Sequence, residues 1–115
     1  MNGLQAPQAA PSVAVAFDVL AAEIELASAR CITLDRVLGE VMDGLPPAQR
    51  AQLLREFHGV DMLVQHLAGL SAFARGVSAA APPALTVPVD GALSAITLSA
   101  LAERMAAGMG AANDP

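Results

Sequence analysis

"DGLPP", residues 43–47, is the stretch on which the fold turns. Gly44 suits a left-handed helix cap, and Pro46 and Pro47 cannot extend an α-helical hydrogen-bond ladder from the preceding turn. Long segments with helical periodicity lie on both sides of it. A break this short between two such segments predicts an antiparallel helical hairpin.

On the N-terminal side, apolar positions recur at Val13, Phe17, Leu20, Ile24, Ala27, Cys31, Leu34, Leu38 and Val41. They are spaced alternately by four and three residues, which is a sustained heptad stripe. Ser12 stands where an N-cap is needed. Asp18, Glu23, Glu25, Arg30, Asp35, Arg36 and Glu40 fall between the stripe positions, as a solvated face requires. A helix of roughly 30 residues is about 45 Å long at 1.5 Å per residue.

On the C-terminal side, Pro47 fits the first turn of a second helix running to about Val77. Its stripe is Leu53, Phe57, Val60, Val64 and Leu67, widened on one side by Leu63, Leu70 and Ala74. Gly59, Gly69 and Gly76 each lower helix propensity by about 1 kcal/mol relative to Ala. Tertiary packing must therefore hold this helix, or one of the glycines permits a close backbone approach.

Around the hairpin, 12–77, the chain divides simply. Residues 1–11, with Gly3, Pro7 and Pro11, read as a flexible arm, and 78–89, "SAAAPPALTVPV", as a Pro-rich extended linker. Asp90 is placed to cap a shorter third helix over 90–107, patterned by Leu93, Ile96, Leu101 and Met105. Residues 108–115 read as a frayed tail. The fold class is all-α: a long antiparallel hairpin, expected to dimerise into a four-helix bundle, plus a shorter C-terminal helix.

Composition removes several classes of function. Of 115 residues, 55% are hydrophobic but only 3% aromatic, so Ala, Leu, Val and Met must fill the interior. A net charge of −5 with no Lys leaves no basic stripe for a phosphate backbone, so nucleic acid is not an expected partner. Cys31 lies on the first stripe, where it reads as a small buried hydrophobe, and two histidines without a second Cys give no zinc spacing. No uninterrupted apolar run is long enough to cross a bilayer, and the N-terminal residues do not read as a secretory signal. The expectation is a cytoplasmic protein with no membrane insertion.

Within the second helix, "VDMLVQHL", residues 60–67, sets an acid and an amide one turn apart in an apolar run. On a helical wheel Asp61 and Gln65 both point away from the Val60, Val64, Leu67 stripe and share a side with His58 and Leu54. A carboxamide displayed this way can position a water molecule in line with a phosphoryl group without repelling it. Positioning supplies much of the acceleration of phosphoryl transfer. The adjacent carboxylate can grip a cation in another protein's active site.

This D-x-x-x-Q, on the second helix of a long hairpin, resembles the motif of the CheZ-type chemotaxis phosphatases, including the shorter CheT-like proteins, which act on the response regulator CheY. Asp61, Gln65, their spacing and the hairpin context carry the resemblance. It implies that Gln65 orients the hydrolytic water at a receiver's phospho-aspartate and that Asp61 pairs with the receiver's lysine, with His58, Leu54 and Met62 at the contact. It further implies a homodimer, a CheY-like partner, Mg²⁺ on the partner's receiver domain and no cofactor of its own. The Pro-rich segment and third helix look like that family's linker and regulator-docking helix.

Two other readings stand beside it. Met62 and Phe73 lie nearly opposite the main stripe and fit a dimer interface or a docking surface, so the chain also reads as a non-enzymatic helical adaptor. His58 and His66 invite a phosphotransfer reading, although "HLAGLS", residues 66–71, lacks the lysine of histidine phosphotransfer motifs.

Overall fold

The computed structural model describes residues 10–113. Its elements are α1 (Val13–Met42), α2 (Pro47–Ala80), α3 (Asp90–Ser94) and α4 (Ser99–Asn113). The long helices form the antiparallel hairpin, with no strand among the described residues. The chain divides into two compact units, one built from the segments up to Leu20 and from Ala74 onward, the other from Ala21–Phe73. The hairpin is therefore shared between two units rather than forming one by itself.

In the unit made of the two chain ends, Ser12 caps α1: its hydroxyl accepts a hydrogen bond from the Val15 amide at 3.0 Å, and its carbonyl takes the Ala16 amide. This satisfies donors that a helix start otherwise leaves orphaned. The helices are antiparallel, because Ala14 accepts from the Ser78 hydroxyl at 2.8 Å while Asp18, one turn later, meets Arg75, earlier in α2. The Pro-rich segment is not a free linker. Thr86 bridges Ser12 antiparallel, the Val13 amide donates to the Leu85 carbonyl at 2.8 Å, and Val87 donates to the buried Pro11 at 3.0 Å. Alternating Leu85, Thr86 and Val87 favour extended backbone, and Pro88 falls just past the paired residues, where it costs the pairing nothing. Of the arm expected at 1–11, residues 1–9 lie outside the described residues, and Pro11 is held rather than loose.

The expected third helix is two. Asp90 does not cap it; Val89 occupies the cap position and Asp90 opens the first turn, where its charge still suits the helix dipole. The break at residues 95–98 follows from β-branched Ile96 and Thr97, and from amides of Ala95 and Ile96 that bond three residues back and close the turn. Helix α4 then continues to Asn113 instead of fraying after Ala107. Met109 is only 6% exposed, and a Cβ built on Gly108 would come 3.2 Å from the Val19 side chain. Buried contact, not propensity, keeps the last turns helical. The close approach expected of Gly59, Gly69 or Gly76 occurs at none of them; all three face open space.

In the 21–73 unit, α1 ends without a left-handed residue, contrary to the role expected of Gly44. The Gly44 and Leu45 amides bond three residues back, to Val41 and Met42, tightening the last turn. Arg50 then donates to the Met42 and Leu45 carbonyls, at 3.3 and 3.0 Å, so one guanidinium caps the helix end from across the turn. Pro46 accepts from the Arg50 amide and Pro47 opens α2, as expected.

The seam of α2 takes Leu53, Phe57, Val60, Val64 and Leu67, matching the sequence reading, and continues through Ser71, Ala74 and Ser78. In α1 the seam is displaced by one position in each heptad. Phe17, Ile24, Cys31 and Leu38 turn inward as expected, but their partners are Ala21, Ser28, Asp35 and Met42 rather than Leu20, Ala27, Leu34 and Val41. Small residues at the seam let the helices approach closely. The displaced leucines and valines form a second apolar row on the flank of α1.

Candidate functional site

Relative to the α2 seam, His58, Asp61, Gln65 and Leu54 occupy one flank, with Met62 further round the helix. All five are exposed, Leu54 and Met62 by 55% and 54%. Neither Asp61 nor Gln65 makes a side-chain hydrogen bond or ion pair among the described residues. Both lie far from either end of α2, so their Cα atoms are fixed by an unbroken helix. The arrangement offers an amide and an anion, one turn apart, on a rigid support and with their hydrogen-bonding capacity unspent.

The matching flank of α1 is the one the sequence reading missed. With the seam at Ala21, Ser28, Asp35 and Met42, Ile32 falls on the same side of the hairpin as Asp61 and is 56% exposed. Together with Leu54 and Met62 it provides apolar surface around a polar pair, the make-up of a protein contact more than of a small-molecule pocket. The signal was present in the sequence: Ile32 sits seven residues after Glu25 and fourteen after Asp18, in the row that the corrected phase brings to this side.

The remaining expectations sort plainly. His66 is exposed on α2, beyond the flank that carries His58. Cys31 is a free thiol, half-buried in the seam. Asp35, expected on the solvated face, is half-buried in the seam instead, because the one-position displacement turns Leu34 outward and Asp35 inward. Among the described residues, no three His, Cys, Asp or Glu side chains gather so as to hold a metal ion. Among the described residues no helix is long and apolar enough to cross a membrane.

Fold and surface together define an all-α hairpin protein whose polar pair is displayed outward on a stiff helix. The chain belongs to the family described as a domain of unknown function, DUF8776, which matches residues 12–114. No curated protein and no solved structure matches it.

Proposed function

We propose that this protein is an auxiliary phosphatase that speeds dephosphorylation of a phospho-aspartyl receiver domain of the CheY type, in chemotaxis or two-component signalling in the cytoplasm. The observation that carries the reading is the exposure of Asp61 and Gln65 together on an unbroken helix, with neither side chain hydrogen-bonded or ion-paired among the described residues.

The reaction is hydrolysis of an acyl phosphate. A water oxygen forms a bond to phosphorus, the bond from phosphorus to the aspartyl oxygen breaks, and the carboxylate leaves with the electron pair; the water's surplus proton passes to the departing phosphate or to solvent. The phospho-aspartate and Mg²⁺ belong to the receiver and the nucleophile is water, so the helper needs no pocket. Gln65 accepts a hydrogen bond from the attacking water and holds it in line, which lowers the entropic part of the barrier. Asp61 forms a charge-assisted bond to the receiver's active-site lysine and fixes where the amide enters. His58, Leu54 and Met62 border the contact.

The test is phosphate release from a phosphorylated receiver domain, with and without the protein. Gln65→Ala is expected to lower the catalysed rate by a factor of about 10² or more, the scale on which single positioning groups act, while leaving the thermal melt unchanged. Asp61→Ala weakens both binding and turnover. An undiminished rate with Gln65→Ala overturns the proposal. The exposed Leu54, Met62 and Ile32 favour one other reading, a non-enzymatic adaptor, which predicts binding without turnover.

A further inference from the structure

Among the described residues of the seam in the 21–73 unit, Asp35 alone carries a charge. It occupies a position where apolar side chains such as Ile24, Leu38 and Met42 stand elsewhere in α1, and it is half-buried. A carboxylate drawn out of water needs a partner. This one makes no hydrogen bond or ion pair among the described residues. Neighbouring Arg36 is turned to Glu40 at 3.2 Å, Arg50 is bonded to the Met42 and Leu45 carbonyls, and the chain has no Lys. An apolar residue at this position would hold the hairpin better. Such a conflict between a residue and its fold marks a place where another requirement governs.

Counted back from the turn, where Arg50 meets Met42, the antiparallel register puts Asp35 level with Phe57 and His58, and Ile32 level with Val60 and Asp61. On α1, Ile32 lies one turn before Asp35 and Gly39 one turn after it, both on the side of the hairpin that carries Asp61. Asp35 therefore forms the floor of the groove whose rim is Ile32, Leu54, His58 and Asp61. At Gly39 the groove is open: a Cβ built there meets nothing within 4 Å. We infer that Asp35 is a second carboxylate of the partner contact, and that a lysine of the receiver lies in this groove with its ammonium between Asp35 and Asp61. The inference rests on the phosphatase reading and adds to it a residue that sets how deeply the partner engages. Lysine fits better than arginine. Its three donors diverge from one point and can serve two carboxylates on different helices, whereas a planar guanidinium fork suits a single carboxylate. Its aliphatic stem finds apolar cover against Ile32 and Leu54, which are 56% and 55% exposed.

The test is steady-state phosphate release from a phosphorylated receiver domain, beside thermal melts of the full chain. Asp35→Asn keeps the shape of the side chain and removes its charge. It is expected to raise KM about tenfold, the scale of one charge-assisted bond, with kcat within about twofold, because a contact made equally before and during the reaction shows in KM. Asp35→Leu is expected to raise KM likewise and to raise Tm by about 4 °C or more, since an apolar side chain packs in the seam where the carboxylate does not. A carboxylate whose work is to hold the hairpin together gives the opposite pattern, a lower Tm with KM unmoved. An unchanged KM in Asp35→Asn, or a lower Tm in Asp35→Leu, overturns the assignment and leaves the role of Gln65 standing. Absence of turnover by the wild type removes the phosphatase reading and this inference with it.

Discussion

The two units draw on the same pair of helices, yet one is closed and the other is half open. Around the chain ends, Val19 meets Gly108, Met109 is buried, and the Leu85–Val87 stretch is hydrogen-bonded to Pro11 and Val13. In 21–73 there are only two helix segments and a turn, and a row of leucines and valines faces outward. A helical pair buries one seam; any apolar row beyond that needs another element. The closed unit finds that element within its own chain, whereas the open one displays surface, and its polar flank is where the candidate site lies.

The contrast predicts that function and stability separate along the chain. The largest effect is kinetic: Gln65→Ala in the open unit is expected to remove receiver-phosphatase activity by a factor of about 10² with no change in melting. Met109→Ala in the closed unit should do the reverse, lowering unfolding free energy by about 2–3 kcal/mol, as loss of a buried methionine does, without altering turnover per folded molecule. Urea titration beside the phosphate assay distinguishes the two. If Met109→Ala melts like wild type, the closed unit is not closed.

Ser12→Ala removes the cap on α1 and is expected to cost about 1 kcal/mol, read as a lower denaturation midpoint. The smallest effect compares two glycines. Gly59→Ala, in open space, should raise stability by about 0.5–1 kcal/mol through helix propensity. Gly108→Ala should gain less or lose, because its new Cβ meets Val19 at 3.2 Å. Equal gains at both positions would show that α4 does not press on Val19.

Much of this was legible in the sequence. The turn at 43–47, both long helices and the α2 seam follow from proline placement and heptad spacing. The phase of α1 did not, because two apolar rows run side by side and the larger side chains, Leu20, Leu34 and Val41, belong to the outer one. Hydrophobicity alone picks the greasier row, while packing picks the row with Ala21 and Ser28, where close approach is possible. The bridge from Thr86 to Ser12 was illegible for another reason: pairing between distant segments leaves no local period. The exposure of Asp61 and Gln65 was readable because the α2 phase was right; Ile32 was hidden by the error in α1.

The Ser12–Thr86 bridge has a kinetic corollary. It joins segments separated by the whole hairpin, so the entropy of closing that span must be met before its hydrogen bonds form. Residues 21–73 are contiguous and can zip from the Arg50-capped turn, whereas the unit at the chain ends must await them. Assembly should therefore run from the hairpin tip toward the termini, and the backbone amides of Val13 and Val87 should be among the last to gain protection from hydrogen exchange.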